Sequence, residues 1–466
     1  MNNKKAYLIG IKGVGMAALA LFLKQAGYEV SGSDNPENYV TQKELDDANI
    51  QIFAGYDAER IKNNDSDMII ASAAFGEDNP EVKVAIKKNN FLYYSEVLGR
   101  ITKNKKLIAV AGVHGKTTTS AMLSLVLEKS GLNPSYLIGG VNIPGLQSSA
   151  QKGDGDYFVL EADEYKKSIN DNTPKFLDIN PQIAVISSIE LDHPDVYSSE
   201  EDIYQAFYRF ACRVPRDGFT ALCIDYPKAK KLARSLVDRK FETYGFSPDA
   251  KWQIYEIDES QNLFKLKNNG TEAGEFTLKV PGKHNFLNAT AVIIIASKLG
   301  ISVNAIKKTL ANFSGVERRF QKIAKIGQIE IIDDYAHHPT AIKQTLSALK
   351  GKFPDSKIWC IFQPHTYTRT QVLLKDFATS FKDADRVIVT EIFGSAREEK
   401  GTITGLNLAE EIKKNQASVR FINDQERIKN FLKNSVHGKA VIVTMGAGDI
   451  YKIGKELAQL FKEDVK

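Results

Sequence analysis

Residues 111–119 read Ala-Gly-Val-His-Gly-Lys-Thr-Thr-Thr and directly follow the apolar run Leu107-Ile108-Ala109-Val110. A strand that ends in a glycine-rich turn and enters a helix at Gly-Lys-Thr is a phosphate cradle. The turn aims backbone N–H groups inward, and the helix N-terminus adds partial positive charge. Lys116 is long enough to reach terminal phosphates, and the Thr117 hydroxyl is a Mg²⁺ ligand in such loops. The spacing departs from the usual P-loop. Val110 stands where the first glycine belongs, and the glycine falls at Gly112, giving a shorter Gly-x-x-Gly-Lys-Thr. A plain glycine turn capping a helix would not need Gly, Lys and three threonines at one strand–helix junction.

The chain around this loop is long enough for two to four domains: it has 466 residues, 43% of them apolar and 26% charged. A net charge of +5 is small for that length, and no basic cluster interleaves with aromatics, so composition gives no case for nucleic acid or membrane partners. No apolar stretch is long enough to span a bilayer. Met1-Asn2-Asn3-Lys4-Lys5 leads straight into a strand-like segment and does not read as a signal peptide. Cys212, Cys223 and Cys360 lack metal spacing and read as reduced thiols of a cytoplasmic protein.

Strand–helix alternation divides the sequence into three α/β blocks, expected at 1–104, 105–314 and 315–466. In the first, Tyr7-Leu8-Ile9 predicts a strand, Met16–Ala26 a helix, Glu29–Asp34 a second strand and Met68–Ser72 a later one. The second block carries the phosphate loop, strands at Tyr157–Glu161 and Ile183–Ser188, an antiparallel stretch over 240–285 and a helix over 286–299. The third predicts strands at Ile329–Asp333, Ile358–Phe362, Arg386–Thr390 and Ala440–Thr444.

Polar clusters sit at the ends of these strands. Gly10-Ile-Lys-Gly13-Val-Gly15-Met16, with Asp34 closing the next strand, suits a Rossmann-like site for a nucleotide diphosphate; tight helix–strand packing is the other reading. Its Gly-x-x-Gly-x-Gly spacing is a poor nicotinamide signature. Glu161, Asp163 and Glu164 follow a buried strand beside the phosphate loop, where a second metal ligand belongs, and Glu161 directly ends the apolar run. His193, in Glu190-Leu-Asp-His193, reads as a metal ligand, a phosphate donor or a structural residue. Asn285 and Asn288 share one helix face, for an adenine edge, a phosphate or a helix cap. Arg319, Asp334, His337, His338 and Arg369 cluster at strand ends of the third block, and Gly446-Ala-Gly-Asp449 closes its last strand. Arg369 has the geometry for a bidentate carboxylate contact.

Taken together, these motifs resemble the Mur ligases, the ATP-dependent amide-forming enzymes of peptidoglycan assembly, over nearly the whole chain from Gly10 to Asp449. Gly13-Val-Gly-Met16, Ser31-Gly-Ser-Asp34, Asp333-Asp-Tyr-Ala-His-His-Pro339, Phe362-Gln-Pro-His-Thr-Tyr-Thr-Arg-Thr370 and Glu391-Ile-Phe-Gly-Ser-Ala-Arg397 resemble the branch that adds L-alanine. The resemblance implies a three-domain fold: a Rossmann-like N-terminal domain, a central P-loop ATPase-like domain and a Rossmann-like C-terminal domain. It implies a cytoplasmic enzyme that joins L-alanine to the lactyl carboxylate of UDP-N-acetylmuramate through an acyl phosphate, with ATP and Mg²⁺, as a monomer or homodimer. Gly10, Gly13, Gly15, Met16, Asp34 and Ser72 would bind the UDP-sugar. Gly112, His114, Gly115, Lys116, Thr117, Thr118, Asn285, Asn288, Arg319 and Asp334 would bind ATP, and Thr117, Glu161 and His193 the metal. His337, His338 and Arg369 would line the amino-acid pocket, with His338 a candidate proton acceptor and Lys116, Glu161, His193, Arg319 and Asp334 completing the catalytic set.

Two departures matter. Thr366 stands where some members carry a second arginine, and Lys166-Lys-Ser-Ile-Asn170 replaces a more usual acidic–aromatic run. Segment 165–180 is also somewhat like the recycling members that attach a whole tripeptide. A nicotinamide oxidoreductase would leave Gly-Lys-Thr unexplained, and a non-catalytic nucleotide sensor would leave the strand-end clusters of the third block unexplained.

Overall fold

The computed structural model describes residues 4–394 and 398–463; Ser395-Ala396-Arg397 of the last motif lie outside them. Three sheets carry the chain, and each places a polar cluster at a point where strand order reverses. The first is parallel throughout: β1 (Lys5–Ile9), β2 (Glu29–Asp34), β3 (Gln51–Ala54), β4 (Met68–Ala71) and β5 (Phe91–Tyr93), in the order β3-β2-β1-β4-β5. Order reverses beside β1, and the crevice there is where open α/β sheets bind ligands. The helix Val14–Gln25 starts at that crevice. Beneath it, Glu81 is fully buried yet accepts from Tyr7 Oη at 3.1 Å, Ser33 Oγ, Asp57 N at 3.1 Å and Arg60 Nη1 at 2.5 Å.

The second sheet holds β6 (Lys106–Ala111), β7 (Ser135–Leu137), β8 (Ala150–Gln151), β9 (Tyr157–Ala162), β10 (Ile183–Ile186), β11 (Phe219–Cys223), β12 (Phe241–Gly245), β13 (Trp252–Asp258), β14 (Leu263–Asn268) and β15 (Thr271–Thr277). Their order is β15-β14-β13-β12-β11-β10-β6-β9-β7-β8, so the phosphate loop leaves β6 at the reversal between β10 and β9. Leu107–Ala111 is buried on both faces, as a continuous apolar strand in a parallel sheet must be. Two helices cover one face: Lys116–Lys129, entered through the loop, and Lys283–Lys298, whose Phe286 and Ala289 to Ala296 are all buried. The expected antiparallel stretch is shorter than 240–285. β12 runs parallel to β11, because it returns from a crossover helix (Pro227–Ser235), and parallel to β13 as well; within this stretch only β13, β14 and β15 pair antiparallel.

The third sheet comprises β16 (Gln321–Ile326), β17 (Ile329–Asp334), β18 (Lys357–Phe362), β19 (Arg386–Val389), β20 (Val419–Phe421) and β21 (Ala440–Met445), in the order β16-β17-β21-β18-β19-β20. Only β16 is antiparallel. Asp333 and Asp334 end β17, Gln363 follows β18 and Gly446 follows β21, all at the carboxyl edge of adjacent strands. Among the described residues, no helix is long and apolar enough to cross a membrane.

The Glu81 network sets a stability test. Glu81→Ala strands Arg60 and two hydroxyls in a buried site and is expected to cost about 3–5 kcal/mol. Glu81→Gln, which keeps most of the hydrogen bonds, is expected to cost less. Urea unfolding of the two variants measures the difference.

Candidate functional site

The strand-end clusters of all three sheets face one cavity of about 520 Å³. Gly13, Val14, Gly15, Met16 and Ser72 line it from the first sheet, and Val113 to Thr118, Glu161 to Glu164, Asp192 and His193 from the second. Arg318, Arg319, Asp334, Tyr335, His337 and His338 close it from the third.

Glycine is needed at Gly115 for two reasons. Its φ is +82°, and a Cβ there would collide with the Asn288 side chain. Asn288 Oδ1 accepts from Thr119 Oγ1 at 3.2 Å, its Nδ2 donates to Asn285 Oδ1 at 3.1 Å, and Asn285 Nδ2 donates to Pro281 O at 2.7 Å. This relay ties the start of one helix to the phosphate loop at the start of the other. His284, one turn away, is half-buried, its imidazole pushed down to about 4 by desolvation and by nearby His114.

Lys116 turns back on its own loop. Nζ donates to Gly112 O at 2.7 Å and to both Glu164 oxygens at 2.8 Å. Burial alone would lower its pKa, but Glu164 and Asp163 more than offset that and hold the ammonium charged. Sequence pointed to Glu161 and passed over Glu164, which is 1% exposed and is the counter-ion of Lys116. Alternation along β9 gives little signal, since the strand ends at Ala162 and both Asp163 and Glu164 lie beyond it. Glu161 accepts from Thr117 Oγ1 at 3.2 Å and from Gly139 N at 2.6 Å, and burial pushes its carboxyl up. Arg319 Nη2 stands 3.5 Å from Thr117 Oγ1, so three assigned groups meet there. Asp334 fastens the loop bearing Arg319, accepting from Phe320 N at 2.7 Å and Ala336 N at 2.8 Å.

His193 lies apart from Glu161. Its Nε2 is 3.7 Å from Glu164 Oε1 and 3.8 Å from Asp192 Oδ2, and its ring packs on Tyr165 at 4.6 Å between centroids. The closest grouping of metal-type ligands among the described residues is a different one: His114, Glu190 and His338, with donor atoms all within 4.8 Å. Hydrogen bonds already occupy that trio. His114 Nε2 meets Glu190 Oε2 at 2.7 Å, Thr340 Oγ1 donates to Glu190 Oε1 at 3.0 Å, and His338 Nε2 donates to Leu191 O at 3.2 Å while its Nδ1 accepts from Thr340 N. With both ring nitrogens engaged, His338 acts as the N-cap of the helix Pro339–Lys352 and docks it to the second sheet. His337 differs. Its Nδ1 faces Tyr335 O at 2.9 Å, and a carbonyl only accepts, so Nδ1 carries the proton and Nε2 the lone pair.

Four sequence-selected residues do not line the cavity: Gly112, whose carbonyl accepts from Lys116 Nζ, and Asp34, Gly10 and Arg369. Asp34 accepts from Lys12 N at 2.7 Å and from Tyr56 Oη at 3.2 Å, tying down the first glycine turn from behind. Gly10, with φ +80°, packs under the Phe75 ring, where a Cβ would not fit. Arg369 is 3% exposed, and its Nε donates to Asp192 Oδ1 at 2.7 Å. Burial alone would push the Asp192 carboxyl up, but the Arg369 guanidinium overcomes it and holds Asp192 well below the usual carboxylate range. Thr366, three residues earlier, holds φ +67°, rare for a β-branched residue.

Residues 5–106 match the Mur ligase family, catalytic domain; 110–296 match the Mur ligase middle domain; and 318–448 match the Mur ligase, glutamate ligase domain. The chain belongs to the Mur ligase family. Among Mur ligases it is 37% identical to the UDP-N-acetylmuramate–L-alanine ligase of Desulfitobacterium hafniense over 97% of this chain and 98% of that one. It is 39% identical to the enzyme of that name from Acetivibrio thermocellus, over 97% and 95%. The crystal structure of the UDP-N-acetylmuramate–alanine ligase of Thermotoga maritima superposes with a TM-score of 0.81 at 28% identity, covering 99% of both chains. A murein peptide ligase from Psychrobacter arcticus shares the fold at TM-score 0.74 and 24% identity, over 98% of both. A three-domain Mur ligase architecture is therefore the fold of this chain.

The buried imidazoles give this Mur ligase a pH signature. His338 is pushed down to about 4, first by burial and then by His114, from an ordinary value near 6.5. A depressed imidazole stabilises the fold fully above about pH 6.5 and loses that contribution as pH falls toward 4. Asn also caps helices, so His338→Asn is expected to keep the cap and remove one titration. Urea unfolding between these pH values should show a slope shallower by about 1.4 kcal/mol per pH unit.

Proposed function

We propose that this chain joins L-alanine to the lactyl carboxylate of UDP-N-acetylmuramate, with cleavage of ATP to ADP and phosphate. The observation that carries the reading is the near full-length likeness to L-alanine ligases, taken with one cavity shared by all three domains. We place the domains at 1–104, 105–314 and 315–466. The first holds the sugar nucleotide at Gly13, Gly15, Met16 and Ser72, the second holds ATP at the phosphate loop, and the third brings the amino acid.

In the first step the carboxylate oxygen bonds to the γ-phosphorus and the bridging P–O bond breaks, giving an acyl phosphate and ADP. In the second the alanine amine attacks the acyl carbon, phosphate leaves, and the amine loses its proton. Both negatively charged reactants must be held together, so the transferred phosphoryl group needs fixed positive charge. Lys116, released from Glu164, and Arg319 supply it. Thr117 and Glu161 fit Mg²⁺: they offer hard oxygen donors in contact, and the buried Glu161 gains from a cation. His193 would hold a second ion, and Mg²⁺ bound at these residues would withdraw charge from the phosphoryl oxygens. Asn288 and Asn285 hold the phosphate loop in shape. His337, with its Nε2 lone pair, is better placed than His338 to accept the amine's proton. Arg369 acts on the amino-acid pocket through Asp192 and the loop it anchors. A chamber closed over by the third domain keeps water from the acyl phosphate.

Phosphate release with ATP, Mg²⁺ and UDP-N-acetylmuramate, plus L-alanine, glycine, L-serine or the L-Ala-γ-D-Glu-diaminopimelate tripeptide, tests the reading. Release is expected with L-alanine, falling at least about a hundredfold in folded Lys116→Ala. Release with the tripeptide alone would assign the chain to the recycling ligases instead.

A further inference from the structure

We propose that Lys175 is the residue that binds the lactyl carboxylate of the sugar nucleotide and holds it for attack on ATP. The inference rests on the ligase reading above and adds a substrate-binding residue to it.

The chain goes to some length to bring this lysine into the cavity. After Glu164 it leaves the strand end, makes a tight excursion and comes back. Lys166 pairs with Pro174, Lys167 N donates to Thr173 O at 2.9 Å, Ser168 N donates to Asp171 O at 3.2 Å, and Lys175 N closes on Tyr165 O at 2.9 Å. Phe176 N then donates to Asp163 O at 3.1 Å. This excursion is the segment where the sequence departs from the more usual acidic–aromatic run.

Lys175 therefore starts its turn of 3₁₀-helix on the cavity wall, with its side chain only 10% exposed. Nζ donates to Asp163 Oδ2 at 2.6 Å and lies 5.3 Å from the centre of the Tyr165 ring. The same ring carries His193 at 4.6 Å. One aromatic platform thus sets a lysine beside a residue assigned to the metal.

The chemistry asks for a cation at this place. Lys116 and Arg319 meet the phosphates, and Arg369 is committed to Asp192. A carboxylate brought beside a triphosphate still needs its own partner, and Lys175 already holds one: Asp163 occupies the position of the substrate's carboxylate. Lysine exchanges such partners readily, because its ammonium is a point charge on a flexible stem. Lys167 is unsuited to the role, since Glu96 at 3.0 Å and Asp178 at 3.4 Å use it to join the first and second domains.

The test compares UDP-N-acetylmuramate with UDP-N-acetylglucosamine, which lacks the lactyl carboxylate, by titration calorimetry on wild type, Lys175→Met and Lys175→Arg. Wild type is expected to prefer the carboxylate-bearing nucleotide by about tenfold or more. Lys175→Met is expected to bring the two within about threefold by weakening only UDP-N-acetylmuramate, and Lys175→Arg to keep part of the preference. In turnover, Lys175→Met should raise KM for UDP-N-acetylmuramate and leave KM for ATP within about twofold. Asp163→Asn, which removes the carboxylate that Lys175 now neutralises, should widen the preference and serves if Lys175→Met does not fold. A preference unchanged in Lys175→Met, or equal weakening of both nucleotides, overturns the assignment of Lys175. Wild type that binds neither nucleotide overturns the ligase reading itself.

Discussion

One buried ion pair, Asp192 with Arg369, fixes where the third sheet sits. Both side chains are almost wholly out of water, so either one alone would be a stranded charge, and the pair holds only when the two domains meet in this register. The neighbours of Asp192 extend the seam. Glu190 accepts from Thr340 and Leu191 accepts from His338, so three successive residues after β10 receive donors from the third domain. Everything the cavity gains from that domain depends on this seam: Arg319 beside Thr117, Tyr335 and His337 on the cavity wall, and the roof that closes the chamber. Glu190 also holds His114 of the phosphate loop, so the loop and the docked domain share one carboxylate.

The acids at the end of β9 and just beyond it show how one strand end allocates charge. Glu161 turns to Thr117, Asp163 to Lys175 and Glu164 to Lys116. Their protonation tendencies part accordingly: burial pushes Glu161 up, whereas Lys175 and Lys116 overcome burial and pull Asp163 down. Glu161 is the one of the three whose hydrogen-bond partners are a hydroxyl and an amide and not a lysine.

Much of this was legible in the sequence. Parallel strands buried on both faces announce themselves as apolar runs, and Leu107–Val110 followed by Gly-Lys-Thr located the central loop. Ligand-facing clusters fall at strand ends by the geometry of α/β sheets, so Gly13–Met16, Glu161, Asn288, Asp334 and His337 come to one cavity. What the sequence hid was pairing across distance. Arg369 and Asp192 are 177 positions apart, and an arginine in a polar motif looks the same whether it awaits a substrate or already holds an aspartate. Asp34 misled for a related reason: an acid ending the second strand of a Rossmann-like unit serves a ligand or ties down the glycine turn, and the spacing is identical in both cases. β12 was misjudged because a parallel return needs a crossover helix, and Pro227–Ser235 is short and largely polar.

The contact between Glu164 and Lys116 has a consequence for traffic through the site. The phosphate loop already holds a negative group, so an anion enters only by displacing it. A triphosphate brings many oxygens to a ring of amides and meets that condition easily. A lone inorganic phosphate offers one group in exchange for one carboxylate tethered by its own chain, a poor bargain at low concentration. Glu164 is a tethered carboxylate on Lys116, so the loop meets an incoming anion with its lysine already neutralised.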